Sequence, residues 1–366
     1  MLNLSSSYDS WFCLIPFCAA FEKLPTYHPT KTVKCQVSVN SRNCRFGQRS
    51  YLHFKETSEK FPVYEVFGGL EHVTGAFTGK GTARENYHFS FQRSGIELSA
   101  LASNLESYAG SKGFDISRVT WPNGAWPHSG QAIIAEEHIW EMSPYTRGII
   151  PVSQILEPVA YDAIVTGSLE YVLGVQGADC PSIFLYDPNA KVIGLAHSGW
   201  KPTVRGVVRN TISCMKKLGV APENIVAFLS PGVSDRYNEF QWDDQMEEKV
   251  RMVFTEANRQ DLLTDKSIRY KMNEADLNEV KNATGNEPRG GIALMLSSLI
   301  KRDLVQEGVL THNIEVSNHS TICERLIHKN NKPQFLYHSA RRDAGKDPER
   351  PGFGSNLCIL FLRHDR

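Results

Sequence analysis

The chain has 366 residues, 41% hydrophobic and 22% charged, which is enough apolar mass for one large or two ordinary globular domains. Forty basic residues balance forty acidic ones, and this neutrality excludes a general nucleic-acid binder that works by neutralising phosphates. The longest apolar stretch near the start, residues 11–21, is too short to span a bilayer and contains Pro16, so no membrane partner is expected.

The charge is unevenly placed. Residues 1–55 hold seven basic and two acidic residues and are rich in serine, so the acidic excess lies in the rest of the chain. No Lys or Arg precedes the apolar stretch and Asp9 does, which argues against a secretory signal. The pattern fits a transit peptide for a chloroplast or mitochondrion, with a disordered tail on a cytoplasmic protein as the alternative. Residues 1–60 are therefore read as an N-terminal extension and residues 61–366 as one domain. Eight cysteines without a repeating spacing or a Cys-x-x-Cys pair make no disulfide framework, so a reducing compartment is expected.

Along the body, residues 61–67 read as a strand and residues 97–108 as a helix with Leu98, Leu101, Leu105 and Tyr108 on one face. A Pro/Gly/Trp-rich loop at 121–129 leads into an apolar strand at 132–135, and 144–158 reads as loop. Strands are expected at 161–166 and 171–175. Residues 202–218 form a helical stripe through Val204, Val207, Val208, Ile212, Met215 and Leu218, ended by Gly219. A strand at 224–229 precedes a charged, mainly helical surface region at 239–279. Residues 291–308 read as a second amphipathic helix, and 313–317 and 357–361 as strands. Strands and helices mix without regular alternation, so the fold class is α+β.

One hairpin carries chemistry. Residues 183–186 and 192–196 are short apolar runs, and Asp187-Pro-Asn between them is a turn sequence. With Pro188 and Asn189 as the central turn residues, Cys180 falls opposite His197. Opposed side chains have Cβ atoms roughly 4.5–5.5 Å apart, close enough for two ligands of one metal ion or for a thiol and its base. A longer turn would shift this register, and a buried cysteine beside an ordinary loop histidine is the plain alternative. The polar, glycine-rich ends, Gly177-Ala-Asp before the thiol and Ser198-Gly-Trp after the imidazole, favour a site.

From about residue 65 onward the chain resembles the laccase-domain family, described both as multicopper polyphenol oxidases and as zinc-containing purine nucleoside phosphorylases with adenosine deaminase activity. The blocks that carry the resemblance are Asp162-Ala-Ile-Val-Thr166, Ala178-Asp-Cys-Pro181, His197-Ser-Gly-Trp200, Ser230-Pro-Gly-Val233, Asn313-Ile-Glu-Val-Ser317 and Ser339-Ala-Arg-Arg-Asp343. The resemblance implies a single four-layer α/β/β/α domain with mixed sheets. It also implies a His, Cys, His metal trio, which maps onto His128, Cys180 and His197, with Trp126-Pro127 departing from the family's usual residues before the first histidine. His138 is the alternative first ligand.

One thiolate and two imidazoles suit Zn²⁺ and leave a fourth position open, the arrangement of catalytic zinc. Copper would also bind such a set, so oxidase activity in vitro would follow copper loading. The resemblance further implies purine nucleosides and phosphate as substrates, with Asn86 as a polar substrate contact and Arg341 or Arg342 as an anion-binding arginine. Lys201-Pro202 replaces the usual Arg-Gly, and Arg205 is the candidate to restore a guanidinium. Asp179 is read as a proton carrier, an orienter of Cys180 or a plain turn carboxylate. The rival functions are a cysteine hydrolase using Cys180 and His197, and a metal-binding interaction protein without catalysis. The sequence leaves the oligomeric state open.

Overall fold

The computed structural model describes residues 52–55, 63–80, 89, 98–122, 128–143, 148–151, 160–327, 333–344 and 354–364. Residues 1–47 and 48–366 cluster as two separate units, and every described residue belongs to the second. Asn86, Trp126 and Pro127, most of the expected loop at 144–158 and nearly all of the expected N-terminal extension lie outside the described residues. The strand Leu52–Lys55, within the span assigned to that extension, pairs antiparallel with Val63–Val66.

Two sheets account for most of the strands. The larger has eight, in the order Leu52–Lys55, Val63–Val66, Val73–Thr78, Asn356–Leu362, Val172–Gly177, Val119–Thr120, Ile149–Pro151 and Trp140–Met142. The smaller has six, in the order Ile314–Val316, Val226–Leu229, Ser182–Asp187, Val192–His197, Ala163–Thr166 and Ala132–Ile134. Both are mixed, since Val119–Thr120 pairs in parallel with its two neighbours and Ala132–Ile134 pairs in parallel with Ala163–Thr166.

Alternation along these strands builds the layers, because successive side chains in a strand face opposite sides. Cys358 and Leu360 of one sheet pack against Phe184, Tyr186, Ile193 and Leu195 of the other in a core between the sheets. On the far side of the large sheet Leu357, Ile359 and Phe361 meet Leu101, Leu105 and Tyr108 of the helix Leu98–Lys112. On the far side of the small sheet Ile183 and Leu185 meet Val208, Ile212 and Met215 of the helix Val207–Lys217, and Leu299 and Leu304 of the helix Leu296–Gln306. The result is helix, sheet, sheet, helix, the four layers expected. Gly194 lets the helix come close, because a Cβ there would lie 3.3 Å from both Met215 Sδ and Thr211 Cγ2.

Two helical segments differ from the expectation. The stripe at 202–218 is split into Trp200–Val204 and Val207–Lys217, with Gly206 between them at φ 91°, a left-handed conformation that favours glycine. Val204, Val207, Val208, Ile212 and Met215 still face one core, so burial survives the break. The charged region holds the helices Asp244–Glu256 and Glu274–Thr284, but also the strand Arg269–Lys271. That strand and Gln241–Trp242 flank Ile292–Leu294, so the expected helix at 291–308 starts only at Leu296. The run Ile292-Ala-Leu is fully buried and is claimed by the ladder rather than by helical periodicity.

Leu360 is fully buried between the sheets, and truncation there would leave a cavity that tightly packed strands cannot close. Leu360→Ala should lower stability in urea denaturation by about 2–5 kcal/mol. Val305→Ala, at a position 42% exposed, should change it by less than about 0.5 kcal/mol.

Candidate metal centre

The hairpin exists, but its register differs from the expected one. Asp187 pairs with Val192 and Ser182 with His197, so the turn has four residues, 188–191. Its cause is local: Asp187 Oδ1 accepts from the Asn189 and Ala190 N–H groups at 2.8 and 3.2 Å, and Lys191 takes φ 52°. Cys180 therefore sits two residues beyond the partner of His197. The thiol still reaches the imidazole, because both border the space above Gly199. A Cβ on Gly199 would lie 2.8 Å from Cys180 Sγ and 3.4 Å from His197 Cε1. The glycine of the His-Ser-Gly-Trp block is thus required by the sulfur beside it.

Backbone pairing at this end of the small sheet brings in the remaining groups. The His197 N–H donates to the Asp162 carbonyl at 2.8 Å, and the Asp162 N–H donates to the Gln131 carbonyl at 2.9 Å. The Asp162 carboxylate, fully buried, accepts from the Gly130 N–H at 2.8 Å and from Ser129 Oγ at 3.2 Å. Its other oxygen stands 3.7 Å from His197 Nδ1. The segment that Asp162 holds carries His128, whose ring centroid lies 5.9 Å from that of His197. One ligand atom each from His128, Asp162 and His197 fall within 4.8 Å of one another.

These groups lack partners of their own. His128 Nδ1, Asp162 Oδ1 and His197 Nδ1 are buried without a hydrogen bond. A buried polar atom left unpaired is costly, and three around one point are what a site for a cation leaves behind. Burial, aided by neighbouring His197, pushes His128 down to about 4, so its ring is neutral and can ligate at pH 7. Burial opposes protonation of His197 too, but the Asp162 carboxylate and the Cys180 sulfur outweigh it and hold its pKa well above the usual range. Two imidazoles and a carboxylate in such reach fit a first-row divalent metal ion, and the Cys180 sulfur borders His197 but lies outside that group of three. Asp162 was missing from the sequence-derived site, although it opens one of the recognised blocks. An acidic residue at the foot of an apolar strand was the available signal.

The other sequence-derived residues fall into two groups. Arg205, expected near an anion, instead donates to the His128 carbonyl at 2.7 Å and pairs with Glu256 at 3.3 Å. Asn210 donates to the Gly130 carbonyl at 2.7 Å, so the two helix residues pin the His128 segment. Gly130 has φ 75°, and a Cβ there would lie 2.8 Å from Arg205 Cβ and from the Arg205 carbonyl oxygen. Asp179 accepts from Thr321 Oγ1 at 2.7 Å and from the Arg341 N–H at 2.6 Å. His138 lies elsewhere, with Nε2 3.0 Å from the Tyr161 hydroxyl.

The two arginines of the last block differ. Arg342 is buried and spends its guanidinium on Asp343 and on the carbonyls of Thr321, Ile322 and Tyr337. Among the described residues the Arg341 guanidinium bonds to neutral acceptors, Gln241 Oε1 at 2.9 Å and the Gln241 carbonyl, and lies 4.6 Å above the Phe240 ring, while the Arg341 N–H donates to the Asp179 carboxylate. Lys201, at the departure from the family's usual Arg, is half-buried with Nζ 5.7 Å from the Trp200 ring centroid.

Because Arg205 holds the backbone of the His128 segment, Arg205→Ala should weaken metal binding by roughly 10-fold and leave the dependence on phosphate unchanged. Gly130→Ala, which forces a side chain into the Arg205 backbone, should weaken metal binding at least as much. Competition with a chromogenic chelator measures both.

Known proteins share parts of this sequence and its fold. The sequence profile described as multi-copper polyphenol oxidoreductase laccase matches residues 92–347. A purine nucleoside phosphorylase of Deinococcus radiodurans is 44% identical over 72 residues, 20% of this chain and 28% of that protein. The purine nucleoside phosphorylase YlmD of Bacillus subtilis is 29% identical over 188 residues, 51% of this chain and 55% of the relative. The chain thus matches about half or less of the length of these two relatives. The crystal structure of YlmD from Geobacillus stearothermophilus shares the fold with a TM-score of 0.59 at 18% identity, covering 85% of this chain and 99% of that one. The Bacillus licheniformis protein YfiH gives a TM-score of 0.55 at 19% identity, covering 80% of this chain and 93% of that one. With its matched blocks gathered at one end of the small sheet, the chain belongs to the multi-copper polyphenol oxidoreductase laccase family.

Proposed function

We propose that this chain is a zinc-dependent purine nucleoside phosphorylase that also deaminates adenosine. The observation that carries the proposal is the convergence of His128, Asp162 and His197, with one polar atom of each left unpaired and the Cys180 sulfur bordering His197 across Gly199. The names of the relatives support the substrate class, purine nucleosides with phosphate. In this reading His128, Cys180 and His197 hold the ion, and the Asp162 carboxylate, 3.7 Å from His197 Nδ1, stands where the carboxylate partner of a metal-bound histidine stands. The ion would supply Lewis acidity and an acidic water molecule.

The chain's own groups account for positioning. Phosphorolysis joins a phosphate oxygen to the ribose C1′ and breaks its bond to the purine nitrogen, and the bonding pair leaves with the base. Arg341, with neutral acceptors and no carboxylate pairing among the described residues, is the guanidinium to hold that phosphate. Cys180, His197 and Asp162 also stand in the order of a thiol-hydrolase triad. His128, half-buried with its Nδ1 unpaired, has no part in that triad, and it favours the metal reading. Copper would be held by the same groups, so oxidase activity should follow copper loading alone.

Cys180→Ala should remove most of the zinc and all nucleoside turnover while urea unfolding stays cooperative. Metal quantification with and without the substitution, beside turnover of adenosine and inosine with and without phosphate, checks this. Stoichiometric zinc absent from the purified protein would overturn the metal reading. Arg341→Lys should raise the phosphate concentration needed for half-maximal phosphorolysis, because a point charge replaces a planar fork. Arg342→Lys should instead lower thermal stability, since it strands the carbonyls of Thr321, Ile322 and Tyr337.

A further inference from the structure

Asp179 has φ 109°, a conformation that glycine adopts freely and an aspartate rarely does. Glycine at this position would relieve the backbone, so the carboxylate must supply something that glycine lacks. It is buried and makes two hydrogen bonds that bring distant parts of the chain together. One oxygen accepts from Thr321 Oγ1 at 2.7 Å and the other from the Arg341 N–H at 2.6 Å. The backbone is held on both sides as well. The Asp179 carbonyl accepts from the Val233 N–H at 2.8 Å, and the Ala178 carbonyl accepts from the Ala340 N–H at 3.2 Å. Thr321 is anchored in turn by its own N–H, which donates to the Gly232 carbonyl at 3.0 Å. Gly232 has no room for a side chain, because a Cβ would lie 2.9 Å from the Asp179 carbonyl oxygen.

The residue that follows Asp179 is Cys180, and the residue it holds across the chain is Arg341. We propose that Asp179 is a positioning residue that sets the Cys180 sulfur and the Arg341 guanidinium relative to each other through one carboxylate. This rests on the reading of Cys180 as a metal ligand. Its consequence is that metal binding and phosphate binding are lost together when Asp179 is changed. Changing Arg341 alone should raise the phosphate KM and leave zinc affinity unchanged.

The test uses the full chain and three readouts: zinc affinity by chelator competition, the thiolate-to-metal charge-transfer band of the Co²⁺-loaded protein, and the phosphate dependence of nucleoside turnover. Asp179→Gly removes the carboxylate and the backbone strain together. It should weaken zinc binding about 10- to 100-fold, diminish the cobalt band and raise the phosphate KM in the same variant. Asp235→Asn is the control for a purely structural loss, because Asp235 is a half-buried carboxylate that accepts from the Ser297 and Ser298 N–H groups at 3.1 and 2.7 Å. It should lower thermal stability and leave the zinc and cobalt readouts unchanged.

A folded Asp179→Gly protein with the parent's zinc affinity and cobalt band overturns the proposal. Should that variant not fold, Thr321→Val removes one of the two bonds and keeps the carboxylate. Zinc affinity should then fall a few-fold, and an unchanged value overturns the proposal. Cys180→Ala separates the two claims. If it retains zinc affinity, the ligand reading fails and the positioning claim falls with it. If it loses zinc while Asp179→Gly does not, only the positioning claim fails. A chain that turns over no nucleoside still answers through the zinc and cobalt measurements.

Discussion

A buried carboxylate needs donors, and the donors that Asp162 finds decide where the rest of the site lies. Its carboxylate takes the Gly130 N–H and Ser129 Oγ, and its carbonyl takes the N–H of His197. Through these contacts one residue fixes the backbone of His197 and the segment that carries His128. An unpaired carboxylate at this depth would cost several kcal/mol. Each of the two imidazoles keeps one buried nitrogen without a hydrogen bond. Removing Asp162 would therefore disturb two strands and a loop at once, whereas removing a histidine takes away one ligand.

The supports around this residue are rigid for a different reason at each point. Behind His128, Arg205 and Asn210 reach across from two consecutive helices to carbonyls of its segment. The break at Gly206 lets the same apolar stripe stay on the core while Arg205 caps the first of those helices. Beside Cys180, the missing side chain of Gly199 makes room for sulfur. On the third side Arg342 satisfies carbonyls of the 321–322 turn and pairs with Asp343, whereas the guanidinium of its neighbour Arg341 bonds Gln241. Packing and polar satisfaction thus converge on the same few atoms, which is how preorganised sites are held.

Much of this was legible in the sequence. The helical stripes and most strands followed from periodicity, Cys180 and His197 from a hairpin with polar, glycine-rich ends, and the four layers and His128 from the family resemblance. The register did not, because the length of a turn is set by side-chain hydrogen bonds such as those of Asp187 that hydrophobic patterning does not encode. Arg205 could not be placed either, since one glycine splits its helix and turns it toward a loop distant in sequence. Arg341 and Arg342 are adjacent and chemically identical, so only their partners distinguish them. The run Ile292-Ala-Leu was assigned to a helix because short apolar runs serve both periodicities, and tertiary pairing decided the outcome. Asn86 lies outside the described residues.

The strand Asn356–Leu362 sits in the interior of the eight-stranded sheet, between Val73–Thr78 and Val172–Gly177. On a ribosome, the two flanking strands emerge long before the one that joins them. Until residue 362 has left the exit tunnel, each presents an open row of backbone donors and acceptors and an apolar face. Such edges are templates for pairing with other chains. Contacts this distant in sequence also slow folding. Synthesis of this protein therefore includes an interval in which the large sheet exists as two unjoined halves, and chaperones that shield strand edges would act during that interval.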